Sequence, residues 1–133
     1  MATMDFVAVM NAIGQAAVDA DLVEEGRAYA WPTTTINPPC VIVDYPEGPQ
    51  AFDLTMRRGA DQATFVAFVV VGDMVPRVTG ETLNTYLQPF KDAVEEFVTP
   101  AWDTARVMSW EVTSLVVKSL PYSALRFEID VVT

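Results

Sequence analysis

The run Phe65 to Val71 constrains this chain more than any other stretch. It contains no polar residue, so it is expected as a strand covered on both faces. Just upstream, Phe52, Leu54 and Met56 alternate with Asp53, Thr55 and Arg57, the two-residue period of a strand with one wet face. Gly59 sits where a tight reversal tolerates a positive φ, and Asp61 can cap that turn through its own backbone. Phe52 to Gly72 therefore reads as a hairpin that joins a half-exposed strand to a central one. A central strand needs cover above and below, and the rest of the chain must supply it.

A length of 133 residues predicts a single domain, residues 1–133, with one core. Eight Lys and Arg stand against eighteen Asp and Glu, a net charge of −10. That balance argues against a nucleic-acid-binding surface, which needs clustered cations to neutralise phosphates. Cys40 is the single cysteine, so no intrachain disulfide can form. Its setting at a strand start, Pro38-Pro39-Cys40-Val41, predicts a buried, inert thiol suited to a reducing compartment. The N-terminus lacks a basic, apolar leader pattern, and no apolar run approaches the roughly 20 residues that span a bilayer. A soluble protein made in a cytoplasm is the expectation.

Along the chain, Thr3 is placed to cap a helix from Met4 to about Asp21, with Asp5 near the positive end of its dipole. Phe6, Val9, Met10, Ile13 and Ala17 form one apolar stripe on it, whose burial outweighs the roughly 1 kcal/mol that Gly14 costs inside a helix. Short strands follow at Arg27–Trp31 and Val41–Tyr45, separated by a proline-rich loop. From Thr79 the spacing of Leu83, Tyr86, Leu87, Phe90, Val94 and Phe97 is helical, but Pro89 interrupts it. Because an interior proline costs about 3 kcal/mol, two short helices are expected, about 80–87 and 89–98. In the last third, Met108, Trp110 and Val112 alternate with polar residues, as do Leu125, Phe127, Ile129 and Val131 with Arg126, Glu128 and Asp130. The expected class is α+β. A mixed, mostly antiparallel sheet of about six strands is flanked by an N-terminal helix and a middle pair of short helices.

This element order, and the wording of Asp53 to Phe65, DLTMRRGADQATF, resemble the tail terminator (tail-completion) proteins of long-tailed bacteriophages, above all those of actinobacterial phages. The resemblance implies a helix-flanked sheet and a structural role without a cofactor. It implies a ring of copies of the chain, six-fold in the family, on the head-proximal end of the tail tube. The partners implied are the tail tube protein and the head–tail connector protein, with DNA passing through unbound and no membrane involved. The implied place is the virion, after assembly in the host cytoplasm. Relatives would carry a longer, glycine-rich break between the middle helices, whereas Leu87-Gln88-Pro89-Phe90 is abrupt here.

Catalytic chemistry has little to draw on. The absence of histidine removes the commonest general base and every Ser-His or Cys-His pair. Val71-Gly72-Asp73 follows a strand but lacks the later glycines and lysine of a phosphate loop. Asp44, Glu47 and Asp53 flank neighbouring strand ends and are either a carboxylate pair for acid–base work or solvated loop residues. Asp19, Asp21, Glu24 and Glu25 make an acidic patch without calcium-loop spacing. Arg57 and Arg58, with Asp61, are either a solvated hairpin tip or a contact with a neighbouring subunit or the tail tube. Among the tryptophans, Trp102, in a loop, is the interface candidate and Trp110, in a strand, is expected in the core. Arg126, Glu128 and Asp130 are expected to face water, a neighbour or the bore.

Overall fold

The computed structural model of the chain describes residues 5–30, 36, 38–44, 62–73 and 80–132. The elements run α1 (Phe6–Asp19), β1 (Ala28–Ala30), β2 (Cys40–Asp44), β3 (Gln62–Asp73), α2 (Gly80–Glu96), β4 (Thr104–Val117) and β5 (Leu120–Val132). The five strands form one sheet in the order β1-β2-β3-β5-β4. Among the described strands only β1 and β2 pair in parallel; the other neighbours are antiparallel. The expected α+β class and mixed sheet are present, with five strands among the described residues rather than about six. The strand expected at Phe52–Arg57 lies outside those residues.

The hydrophobic alternation of β3 and β5 builds the core. Phe65, Ala67 and Val69 stand on the same face as Phe127, Ile129 and Leu125, and α1 and α2 cover that face through Val9, Ile13, Phe90 and Val94. Phe90 of α2 lies against Phe127 of β5 with ring centroids 4.5 Å apart and ring planes tilted by 39°. The opposite face carries a smaller cluster, Ile36, Cys40, Ile42, Val70, Val117 and Ala124. Cover on both faces is what the unbroken apolar run of β3 called for.

Two helix details correct the sequence reading. Thr3 lies outside the described residues. Asp5 is the cap of α1, its side chain accepting the Ala8 N–H at 3.1 Å, so the helix begins at Phe6. It closes with Asp21 at a φ of 60°, where the Asp21 N–H reaches the Val18 carbonyl and the Leu22 N–H that of Ala17. Those two bonds make a Schellman ending with Asp in the place usually taken by Gly.

The second correction is that α2 is one continuous helix through Pro89, not two short ones. Phe90 and Val94 just beyond the proline are fully buried, in line with Leu83, Tyr86 and Leu87. Burying two such side chains contributes about 1.5–3 kcal/mol each, which offsets the roughly 3 kcal/mol of the proline. Thr85, whose carbonyl loses its partner to the ring, is exposed and open to water.

Gly14 also has a role that periodicity conceals. A Cβ built on it would lie 2.8 Å from the Ala28 Cβ, so α1 approaches β1 as closely as it does because position 14 has no side chain. Gly14→Ala should therefore fail to give the usual helix-propensity gain of about 1 kcal/mol. Overpacking of about 1–3 kcal/mol opposes it. Urea unfolding should show a variant no more stable than the parent. A rise in midpoint would mean that the two elements separate freely.

Candidate interaction surface

The β4–β5 hairpin closes at Lys118 and Ser119, whose φ angles of 49° and 66° are the signature of a type I′ turn. In such a hairpin the flanking pair, Val117 and Leu120, is hydrogen-bonded. Bonded pairs alternate along the ladder, so Val117, Leu115, Thr113, Glu111 and Ser109 bond to β5. Val116, Ser114, Val112 and Trp110 direct their N–H and C=O groups the other way, to the side of β4 on which no described strand pairs.

Those outward-directed residues carry an apolar row. Trp110, Val112 and Val116 are 49%, 52% and 58% exposed, and Met108, at the bulge between Val107 and Ser109, is 55% exposed. Trp110 and Val112 sit opposite Phe127 and Leu125, on the face that the helices cover, but beyond the reach of that cover. A groove of about 440 Å³ separates α2 from this part of β4, bordered by Leu87, Gln88, Lys91, Met108 and Trp110. Glu95 of α2 closes the row at one end: its Oε2 accepts the Val107 N–H at 3.0 Å while Oε1 takes the Lys91 ammonium at 2.7 Å.

The tryptophan assignments are thus reversed. Trp102 is 6% exposed and packs in the core against Phe97, with ring centroids 6.3 Å apart. The loop after α2 turns inward there and fills the gap between the helix end and β4. Trp110 is the exposed one, because an alternating strand at a sheet edge need not be buried on either face. Period-two patterning reports which residues share a face, not whether another layer lies over them.

On the opposite face the expected polar set is brought together. Arg126 Nη1 donates to Glu128 Oε1 at 3.0 Å and lies 3.8 Å from Glu111 Oε1. The Ser109 hydroxyl donates to Glu128 Oε2 at 3.2 Å, and Gln62 donates to both oxygens of Asp130, at 3.0 and 2.8 Å. Arg126, Glu128 and Asp130 are therefore bound into the sheet surface, none of them a loose charge. Hydrogen bonds from Arg126 and Ser109 hold the Glu128 carboxyl below its ordinary value against a smaller effect of burial. For Glu95, burial alone pushes upward, but the bonds from Lys91 and the Val107 N–H and the charges of Lys91 and Arg106 outweigh it and lower its pKa.

Arg57, Arg58 and Asp61 lie outside the described residues, as do Glu47 and Asp53, so the choice between a carboxylate pair with Asp44 and solvated loop residues falls outside them too. In the acidic patch, Gln15 donates to Asp19 at 2.7 Å and Arg27 pairs with Glu24 at 3.4 Å. Among the described residues no three His, Cys, Asp or Glu side chains come close enough to hold a metal ion. Cys40 is fully buried, and desolvation pushes its thiol up to about 12 despite the opposing charge of Arg27. No family model matches the chain, and no curated protein matches it.

Glu95 and Glu128 both titrate below their unfolded values, near 4.3 for glutamate. Each contributes stability that is fully present above the unfolded value and is lost as pH falls through the folded one. Urea unfolding from pH 7 down to pH 3 should show a falling midpoint. Glu95→Gln should be less stable at pH 7 and lose less on acidification. Parallel curves for the two proteins would remove Glu95 from the acid response.

Proposed function

We propose that this chain is a structural subunit of a long-tailed bacteriophage, forming a ring on the head-proximal end of the tail tube. The ring ends tube growth and presents the surface that docks to the head connector. The observation that carries this reading is the resemblance of Asp53 to Phe65, together with the order of elements around it. A mixed sheet with both helices on one face is consistent with the helix-flanked sheet that the resemblance implies. The mechanism is binding, with no bond made or broken. A small subunit must match the tube below and the next component above, so it needs two different surfaces. The apolar edge of β4 and the polar face of Arg126, Glu128 and Asp130 differ in that sense. A ring interface is head-to-tail and closed by rotation. With a net charge of −10, acidic side chains on a bore would keep passing DNA from sticking, over a Debye length of roughly 8 Å.

Deletion of the gene from its phage should leave DNA-filled heads without tails, together with tail tubes of uncontrolled length. Electron microscopy of the lysates reads both. Tails of normal length beside heads that leak DNA would instead place the protein on the head side, as a connector or stopper.

A further inference from the structure

We propose that in the ring each subunit sets Trp110, at the β4 end of its sheet, into a hollow at the β1 end of the next subunit. The inference rests on the ring reading above and names the surfaces that close it. A ring contact is head-to-tail, so it joins two different patches of the same chain, and rotation carries each patch onto its mate. Among the described strands, β4 and β1 stand at opposite ends of the sheet. The two ends differ in shape and in charge.

At the β1 end a hollow of about 240 Å³ lies between α1 and β1. Met10, Val18, Ala28 and Tyr29 give it apolar walls, and Asn11 and Glu25 border it with polar groups. It has room for one aromatic side chain. At the β4 end Trp110 is half exposed, with Met108 beside it across the bulge. Tryptophan is the residue type that most often anchors an interface, and it does so by filling a pocket on the partner.

Both features lie on the same side of the sheet. Trp110 sits opposite Phe127, on the face that the helices cover. Ala28 pairs with Val41, which belongs to the core beneath those same helices. A neighbour set end to end, with its helices on the same side, therefore presents its hollow to Trp110.

The charges agree with that pairing. Asp19 to Tyr29, which leads to the hollow and borders it, holds four carboxylates and one cation, +1 − 4 = −3. Thr104 to Lys118 holds two cations and one carboxylate, +2 − 1 = +1. Unlike ends attract, whereas two hollow ends repel, so the charge favours head-to-tail contact over a two-fold one at the hollow. The contact engages the Met108–Trp110 end of the apolar row and leaves Val116, beside the turn, to the tube or the connector.

The test uses introduced cysteines, because Cys40 is buried and stays silent. Met108→Cys and Asn11→Cys, both at exposed positions, are treated with a short bis-maleimide singly and mixed, in solution and on isolated tail tubes. The mixture should give cross-linked pairs and each variant alone none. A chain carrying both cysteines should give a ladder that ends at the ring. Trp110→Glu, and Asn11→Trp to fill the hollow, should each weaken association at least tenfold in sedimentation velocity, with an unchanged circular dichroism spectrum. If one of the two fails to fold, the other decides. Assembly at parental affinity with either folded variant, or cross-links within Met108→Cys alone, would overturn this contact and leave the ring standing. A chain that forms no oligomer, alone or on tail tubes, would overturn the ring reading and this contact with it.

Discussion

The pairing of β3 with β5 is the constraint on which the other elements depend. They lie next to each other in the sheet although α2 and β4 intervene in the chain, and their register brings Phe65 opposite Ile129 and Ala67 opposite Phe127. Apolar side chains from both strands make one continuous floor for the helices. Because successive residues alternate between faces, a slip of one residue would turn Phe127 and Ile129 outward and Arg126 and Glu128 into the core. The same register places Gln62 beside Asp130 for the bonds seen there, so polar and apolar sides specify one alignment.

Much of this was legible in the chain. An unbroken apolar run predicted the central strand β3, and the alternation from Leu125 to Val131 predicted which side of β5 faces inward; all four of its apolar residues are buried. Errors arose where local pattern competes with what lies on top. Pro89 argued for a break, and tertiary burial of Phe90 and Val94 kept the helix whole. Trp102 looked exposed because it follows a proline in a loop, yet that loop packs inward. Trp110 looked buried because its strand alternates, yet its strand is the last in the sheet among the described residues. Gly14 looked like a cost and is a clearance. The edge contact of Glu95 with Val107 had no sequence signal at all, since it joins a helix side chain to a strand backbone through a bulge.

The two sides of the hairpin show how a small sheet can divide its labour. Polar side chains on one side are engaged with each other: Arg126 with Glu128 and Glu111, Gln62 with Asp130. Covering them would strip water from charged groups at a cost, so this side suits reversible, salt-sensitive contacts. The apolar row on β4 carries no such cost.

The position of Cys40 has a practical consequence for anyone studying how the molecule opens. It is the single sulfhydryl of the chain and sits in β2, paired with β1 on one side and β3 on the other, without exposed surface. A thiol reagent in native buffer can reach it only when the packing over its face of the sheet, with Ile36, Val70 and Ala124, opens. The rate of its modification is then a clock for that opening, read with no label added and no denaturant present. Where opening is fast relative to the reaction, that rate reports the free energy of the open form; where it is slow, it reports the opening step itself.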